Sequence, residues 1–137
     1  MDASGRGGDP GSSSPAELLE TFPNQFPDRE YEIEIECPEF TAVCPKTGQP
    51  DFGAIRVGYV PAAACIELKS LKLYLQAYRN RGIYYEHSIN TILDDLVAAC
   101  RPRKMIVVGQ FTPRGGISSR ITARFEASAG PPMVRIP

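Results

Sequence analysis

The sequence predicts a single α+β domain in which an antiparallel sheet of four strands carries two helices on one face. Apolar and polar residues alternate in segments at both ends of the chain, which is the period of strands. In two central segments, apolar residues recur every three or four positions, as they do in amphipathic helices. The predicted order is therefore strand, strand, helix, helix, strand, strand. A chain of 137 residues with 42% hydrophobic content can build one core but not several domains.

The N-terminal residues 1–14, MDASGRGGDPGSSS, contain little apolar surface to bury and are predicted to form a flexible tail. The single folded domain is accordingly assigned to residues 15–137. Residues 15–28 contain three prolines and are expected to lie across the domain or a partner without regular structure.

The first two predicted strands are short and lie on either side of a segment rich in turn formers. Residues 29–36 alternate glutamates with the apolar residues Tyr31, Ile33 and Ile35. Residues 53–60 contain Ile55 and Val57 among small residues and stop at Pro61. Between them, residues 40–52 read FTAVCPKTGQPDF, and their prolines and glycine predict a folded loop.

Two helices are predicted in the middle of the chain. The first covers residues 67–78, is expected to end by Gly82, and has an apolar stripe of Leu68, Leu71, Leu75 and Tyr78. The second is expected to end by Pro102, and its stripe consists of Ile89, Ile92, Leu93, Leu96, Val97 and Cys100.

The last two predicted strands cover residues 105–111 and 119–125. Four antiparallel strands cannot close into a barrel, and one layer of two helices leaves the sheet edges open. The chain is therefore expected to form a ring-like homo-oligomer whose sheets join edge to edge.

Composition limits the function classes. A net charge of -1 and a pI near 5.8 disfavour sequence-independent binding to nucleic acid, so small molecules or proteins are the expected partners. With no apolar run of the roughly 20 residues needed to span a bilayer and no signal-peptide pattern, the chain is predicted to be cytoplasmic and not membrane-bound. Four irregularly spaced cysteines and one histidine predict neither a disulfide framework nor a metal site.

The most informative local feature is a thiol, Cys44, followed seven positions later by the carboxyl group of Asp51. A nucleophilic cysteine requires its thiolate form, which Lys46 or backbone N–H groups would favour, and Asp51 could exchange protons with the group under attack. The alternative is an inert, buried cysteine, which is the expectation for Cys65 and Cys100, with Asp51 an ordinary turn residue. Local chemistry alone leaves both readings of Cys44 open.

Three segments, FTAVCPKTGQPDFG, IELKSLKLYLQAYRNRG and FTPRGGI, resemble the NADPH-dependent 7-cyano-7-deazaguanine reductases, the nitrile reductases of queuosine biosynthesis, in their short single-module form. The most specific element is a Glu-x-Lys-x-x-Lys-x-aromatic pattern, filled here by Glu67, Lys69, Lys72 and Tyr74. The resemblance implies the tunnelling fold, in which subunits associate into barrels with active sites between neighbours. It also implies an oxidoreductase that uses NADPH as co-substrate. No metal is expected to be required, in line with the spacing of the cysteines and the single histidine.

The resemblance assigns roles to individual residues. Cys44 matches the nucleophile that forms a covalent thioimide with the nitrile, and Asp51 matches the proton donor. The positions that match substrate contacts are Ile66, Glu67, Leu68, Tyr85 and Glu86. Those that match NADPH contacts are Lys69, Lys72 and Arg114.

Some of these residues also have a plain structural interpretation. Glu67 could simply begin a helix, and Lys69 and Lys72 could form a solvated helix face. Tyr85 stands where some family members have histidine, which leaves its role open. No Gly-x-Gly-x-x-Gly motif follows a strand, so NADPH is expected to bind without a Rossmann site.

Two rival functions remain open at this point. One is a related enzyme that attacks the same thioimide with an amine on tRNA to make an amidine; the pair of lysines and the absence of a basic surface argue against it. The other is a non-catalytic ligand-binding oligomer of the same fold. A cysteine hydrolase is disfavoured because His87, the one histidine, has no evident orienting partner.

Overall fold

The computed structural model describes residues 15–128. The predicted tail of residues 1–14 lies outside this range, as do residues 129–137. After a short 3-10 turn, the described residues form six strands and two α-helices. These are β1 (Thr21–Pro23), β2 (Ile33–Val43), β3 (Pro50–Val60), β4 (Ala64–Ile66), α1 (Leu68–Gln76), α2 (Tyr85–Cys100), β5 (Lys104–Arg114) and β6 (Ile117–Glu126).

Four of the strands form one antiparallel sheet in the order β2-β3-β5-β6. At its centre, Val57 pairs with Ile35 on one side and with Val107 on the other, and Val107 pairs with Ala123. This is the sheet that the alternating pattern predicts. The α+β fold class and the predicted order of the main elements are therefore confirmed.

Both helices pack on the same face of the sheet, because apolar residues of the helices and of all four strands form one buried cluster. From α2 the cluster takes Ile89, Ile92, Leu93, Leu96 and Cys100, which confirms most of the predicted stripe. Gly109 on β5 lets α2 approach closely, since a Cβ atom there would lie 2.5 Å from the Ile89 side chain. The opposite face of the sheet carries exposed charged residues.

The prediction for the first helix is partly wrong. Leu68 is 58% exposed, whereas Tyr74 is completely buried and donates a 2.6 Å hydrogen bond from its hydroxyl group to Asp95. The helix proper begins at Leu68 and ends at Gln76, so the first predicted stripe residue belongs to the first turn and points away from the sheet. Leu71, Leu75 and Tyr78 are buried as predicted.

The prediction of a loop over residues 40–52 is also wrong. The first strand continues to Val43 and the second begins at Pro50, so only residues 44–49 form the loop of a hairpin. Proline is tolerated at Pro50 because it is the first residue of its strand, where no ladder hydrogen bond is lost. The predicted loop therefore includes Phe40 and Ala42, although both residues lie in the core.

Residues 15–28 are more regular than the sequence predicts. Strand β1 pairs antiparallel with the short strand β4 just before α1. The backbone N–H of Glu20 donates to the hydroxyl group of buried Ser70, which ties this segment to the first helix. Among residues 15–128, no helix is long and apolar enough to cross a membrane.

Candidate active site

The loop that carries Cys44 is a closed hairpin turn. The backbone N–H of Cys44 donates to the carbonyl oxygen of Gln49 over 2.8 Å, and the N–H of Gly48 donates to the carbonyl oxygen of Cys44 over 2.8 Å. Gly48 has a φ of 75°, a conformation that favours glycine, and this permits the tight return of the chain. The thiol is therefore held at the end of the sheet, half-buried, and not inside the core.

Hydrogen bonds inside this loop favour the thiolate form of Cys44. The side chain of Thr47, and then the backbone N–H groups of Thr47 and Lys46, lower the pKa of the Cys44 thiol. Partial burial and the negative charge of Asp51 oppose this effect without reversing it. Cys44 opens the loop and Asp51 follows it by one residue in β3, so both side chains belong to the same end of the sheet.

Asp51 is buried at the opposite end of the same loop, with 6% of its surface exposed. It lies on β3, where alternate residues face the helices, so Asp51 shares a face with buried Ile55 and Val57. One carboxylate oxygen, Oδ1, accepts a 3.1 Å hydrogen bond from the Tyr85 hydroxyl group and a 2.6 Å bond from the Arg114 guanidinium. The carboxylate is thus paired and hydrogen-bonded, as a buried charge requires.

Tyr85 reaches Asp51 because its ring is stacked on Phe111. The two ring centroids are 3.8 Å apart and the rings are nearly parallel, at 8°. Phe111 can lie flat beneath Tyr85 because its pairing partner on β3 is Gly53, where a Cβ atom would lie 2.8 Å from the Phe111 ring. Burial, and then the bond to Asp51, raise the pKa of the Tyr85 hydroxyl group, so it remains a donor at neutral pH.

Arg114 lies at the end of β5, next to the turn at Gly115 and Gly116, whose φ values are 60° and 81°. In addition to Asp51, its guanidinium donates to the carbonyl oxygen of Pro50 over 2.8 Å and to the side-chain oxygen of Gln49 over 2.5 Å. The arginine therefore bridges the two hairpins at this end of the sheet. Its side chain is 39% exposed, against 8% for Asp51.

The structure brings together four of the predicted site residues, Cys44, Asp51, Tyr85 and Arg114. A backbone bridge between Val43 and Gly82 holds the start of α2 against the Cys44 strand, and Glu86 follows Tyr85 as an exposed residue of the first helical turn. Only part of the predicted site is therefore assembled within one chain.

The remaining predicted residues form a second group at β4 and α1. Glu67 caps α1, since its carboxylate accepts hydrogen bonds from the backbone N–H groups of Lys69 (2.9 Å) and Ser70 (2.7 Å), which confirms its structural interpretation. These bonds lower the pKa of Glu67. Of the other members, Ile66 is buried, while Leu68, Lys69 and Lys72 are exposed. In the described part of the chain, none of this group is hydrogen-bonded to Cys44 or Asp51.

Sequence reasoning missed three contacts of the site. It named Lys46 and backbone groups as partners of the thiol but not the hydroxyl group of Thr47, which the turn brings back toward Cys44. It did not foresee that Tyr85 and Arg114 both bind Asp51. The pairing of β3 with β5 could have suggested the last contact, since it places the ends of both strands side by side.

The other cysteines occupy different surroundings. Cys65 and Cys100 are buried, as predicted, and burial raises the pKa of Cys100 to about 12. Cys37 is partly buried, and burial raises the pKa of its thiol as well. His87 is exposed and packs edge-on against Tyr84. Within residues 15–128, no three His, Cys, Asp or Glu side chains are grouped so that they could hold a metal ion.

The fold and the site define a class of protein: an antiparallel-sheet α+β domain with a half-buried, hydrogen-bonded thiol and a buried carboxylate at one end of its sheet. Comparison with known proteins makes this specific. A family model described as QueF-like protein matches residues 50–129, which is more than half of the chain. The chain belongs to this family.

Its relatives support the same assignment. The chain is 57% identical over 111 residues to the NADPH-dependent 7-cyano-7-deazaguanine reductase of Chloroherpeton thalassium, covering 81% of this chain and 96% of that protein. It is 59% identical over 112 residues to the protein of the same name from Anaeromyxobacter sp. strain Fw109-5, covering 82% and 92%. The resemblance stated from the sequence is confirmed.

A solved structure, the archaeosine synthase QueF-Like in the apo form, matches with a TM-score of 0.63. It covers 72% of this chain and 95% of that chain at 21% sequence identity. At this identity the match supports the fold.

Proposed function

We propose that this protein is an oxidoreductase that reduces the nitrile of 7-cyano-7-deazaguanine to the primary amine with NADPH, in queuosine biosynthesis. The observation that carries the proposal is the hydrogen-bonded Cys44 thiol beside the buried carboxylate of Asp51, in a chain 57–59% identical to proteins named for that reaction. Neither part suffices alone, because the names do not identify the reacting groups and the thiol does not identify the substrate.

Cys44 begins the proposed reaction by attacking the nitrile carbon. The sulfur–carbon bond forms while one π bond of the nitrile opens, and the nitrogen takes up a proton to give a covalent thioimide. Thr47 and the loop N–H groups favour the attacking thiolate. Asp51, the carboxyl group that interacts electrostatically with Cys44, carries the proton to the nitrogen.

Reduction to the amine requires four electrons, and therefore two hydrides. NADPH would supply each hydride; Lys69 and Lys72 are exposed on α1, and their ammonium groups suit its phosphates. After the first hydride, the carbon–sulfur bond breaks, Cys44 is released, and an imine remains for the second hydride. Asp51 passes the proton that accompanies each hydride addition to the nitrogen, and it takes up a replacement proton from solvent each time.

Recognition of the deazaguanine ring is assigned to residues outside the catalytic pair. Glu86 is exposed beside Tyr85, and its carboxylate can accept hydrogen bonds from the N–H groups of a guanine-like edge. Ile66, Glu67 and Leu68 are proposed to contact the substrate partly through their backbone. Because this second group is not hydrogen-bonded to Cys44 within the described chain, we assign the complete site to the boundary between two subunits.

An assembly with shared sites is consistent with the edges of the sheet. Strands β2 and β6 run in opposite directions, so β6 of one copy can extend the sheet of the next copy along β2 as an antiparallel strand. On the exposed face, Glu34 pairs with Gly58, Gly58 with Ile106, and Ile106 with Arg124. Glu34 and Arg124 therefore lie at the two opposite edges of the sheet. Head-to-tail joining in this register would place opposite charges beside each other.

Stoichiometry tests the proposed reaction. Purified protein is mixed with NADPH and a limiting amount of 7-cyano-7-deazaguanine, and both NADPH loss and the amine product are measured. We expect two NADPH consumed for each amine formed. Binding of the nitrile without NADPH consumption, or consumption only in the presence of tRNA, would favour the amidine-forming relative or a binding protein.

A further inference from the structure

We infer that Arg114 is a positioning residue for the first, NADPH-free step, in which it holds the Asp51 carboxylate beside Cys44 while the thioimide forms. This inference rests on the proposed function. It differs from the family resemblance, which assigns Arg114 to NADPH.

The geometry places Arg114 on Asp51. The 2.6 Å contact to Oδ1 is short even for a charge-assisted bond, and the bonds to Pro50 and Gln49 fix the guanidinium from two other directions. All three acceptors belong to the loop and strand that join Cys44 to Asp51. The arginine therefore fixes the position of the carboxylate relative to the thiol.

The two donors to Asp51 converge on a single oxygen. Tyr85 and Arg114 both bind Oδ1, and within residues 15–128 no hydrogen bond is made to Oδ2. Oδ2 is thus the oxygen available for proton exchange, with its orientation set by the bonds to Oδ1. The titratable and charged groups that face Asp51 are Cys44 from the loop, Tyr85 from α2 and Arg114 from β5.

This arrangement also explains how a carboxylate can serve as the proton donor. The guanidinium of Arg114 pairs with the Asp51 carboxylate through Oδ1, which leaves Oδ2 able to accept a proton from a neighbouring group. The proton of the Cys44 thiol moves to Oδ2 as the thiolate forms, and then to the nitrile nitrogen as the sulfur–carbon bond forms. One proton leaves sulfur and one reaches nitrogen, so no external acid is needed.

The experiment measures formation of the covalent Cys44 adduct with the nitrile in the absence of NADPH, by intact mass, at saturating nitrile and across pH. Three variants are compared with wild type: Arg114→Gln, Arg114→Lys and Lys104→Gln. Lys104→Gln is the matched control, because it removes an exposed charge at the opposite end of β5, outside the candidate site. Thermal midpoints confirm that each variant is folded.

We expect Arg114→Gln to slow adduct formation by roughly tenfold or more at every pH measured, because the carboxylate is no longer held beside the thiol. Arg114→Lys should recover part of the rate, since it keeps the charge but not the three-way geometry. Lys104→Gln should stay within about twofold of wild type, because an exposed charge at the far end of the strand is screened from the site.

Two results would overturn the inference in distinguishable ways. In the first, wild type and Arg114→Gln form the adduct at the same rate, and the variant differs only in a higher KM for NADPH. Arg114 would then serve NADPH alone, and the proposed function would stand. If wild type forms no adduct, the proposed function fails as well.

Discussion

Replacing Gly53 with alanine tests whether the fold of the sheet holds the site together. The added Cβ would lie 2.8 Å from the carbonyl oxygen of Gln110 and 2.8 Å from the ring of Phe111. The carbonyl oxygen belongs to the sheet backbone and cannot move away easily, so the ring must shift. Tyr85 stacks on that ring and donates to Asp51, and the disturbance should therefore reach the carboxylate.

The expected loss of stability follows from two opposing terms. Overpacking of this kind costs about 1–3 kcal/mol, and restricting the unfolded chain by a glycine-to-alanine change returns about 0.4–1 kcal/mol. The net loss is about 1–2 kcal/mol, which lowers the thermal midpoint of a domain of this size by roughly 4–8 °C. The rate of Cys44 adduct formation should fall with it.

Gly58→Ala on the same strand is the matched control. Its Cβ would meet only a methyl group of Ile106, at 3.2 Å, and that side chain lies on the exposed face of the sheet. Differential scanning calorimetry should show a midpoint within about 2 °C of wild type for this control. Should Gly53→Ala unfold at the wild-type temperature and form the adduct normally, the proposed link from Gly53 to Asp51 would be refuted.

Three further predictions test the loop, the carboxylate and the assembly. Thr47→Val removes the side-chain hydrogen bond that lowers the pKa of Cys44 most, so this pKa should rise. Alkylation of Cys44 by iodoacetamide should then require a higher pH. An unchanged pH profile of alkylation would exclude the hydrogen bond. Tyr85→Phe keeps the stacked ring but removes the hydroxyl group that donates to Asp51, so adduct formation should slow by about threefold to tenfold. Mass spectrometry of samples quenched at successive times measures this rate. Arg124→Glu should weaken the assembly, so that light scattering measures a smaller molecular mass. Adding Glu34→Arg to the same chain should restore the mass of the wild-type assembly. If the double variant stays dissociated, the proposed edge pairing is contradicted.

The fold was largely predictable because the helices and the sheet obey their hydrophobic periods. The failures occurred where local signals compete with the tertiary structure. The prolines and glycine near Cys44 favour a loop, but the two strands pair up to Val43 and Pro50 because Phe40 and Ala42 gain burial in the core. The hydrophobic period of the first helix includes Leu68, but it does not show that the first helical turn directs this side chain away from the sheet.

The candidate site was predictable in part, since residue type and spacing point to Cys44 and Asp51 as chemical partners. The contacts that control them were not, because they join distant parts of the chain. Arg114 is 63 positions from Asp51, and Tyr85 is 34 positions away. These contacts depend on the strand register and on the stacking of Tyr85 over Phe111. Neither can be inferred from a short stretch of the sequence.

The central claim is that the sulfur of Cys44 becomes covalently bonded to the nitrile carbon. Protein incubated with 7-cyano-7-deazaguanine and no NADPH, then denatured and weighed by mass spectrometry, tests it most directly, with Cys44→Ser as the control. The account predicts a mass gain of one substrate molecule per chain, located on the Cys44 peptide, absent from the variant and lost on adding NADPH. An unmodified wild-type chain, or an adduct on another cysteine, would contradict it.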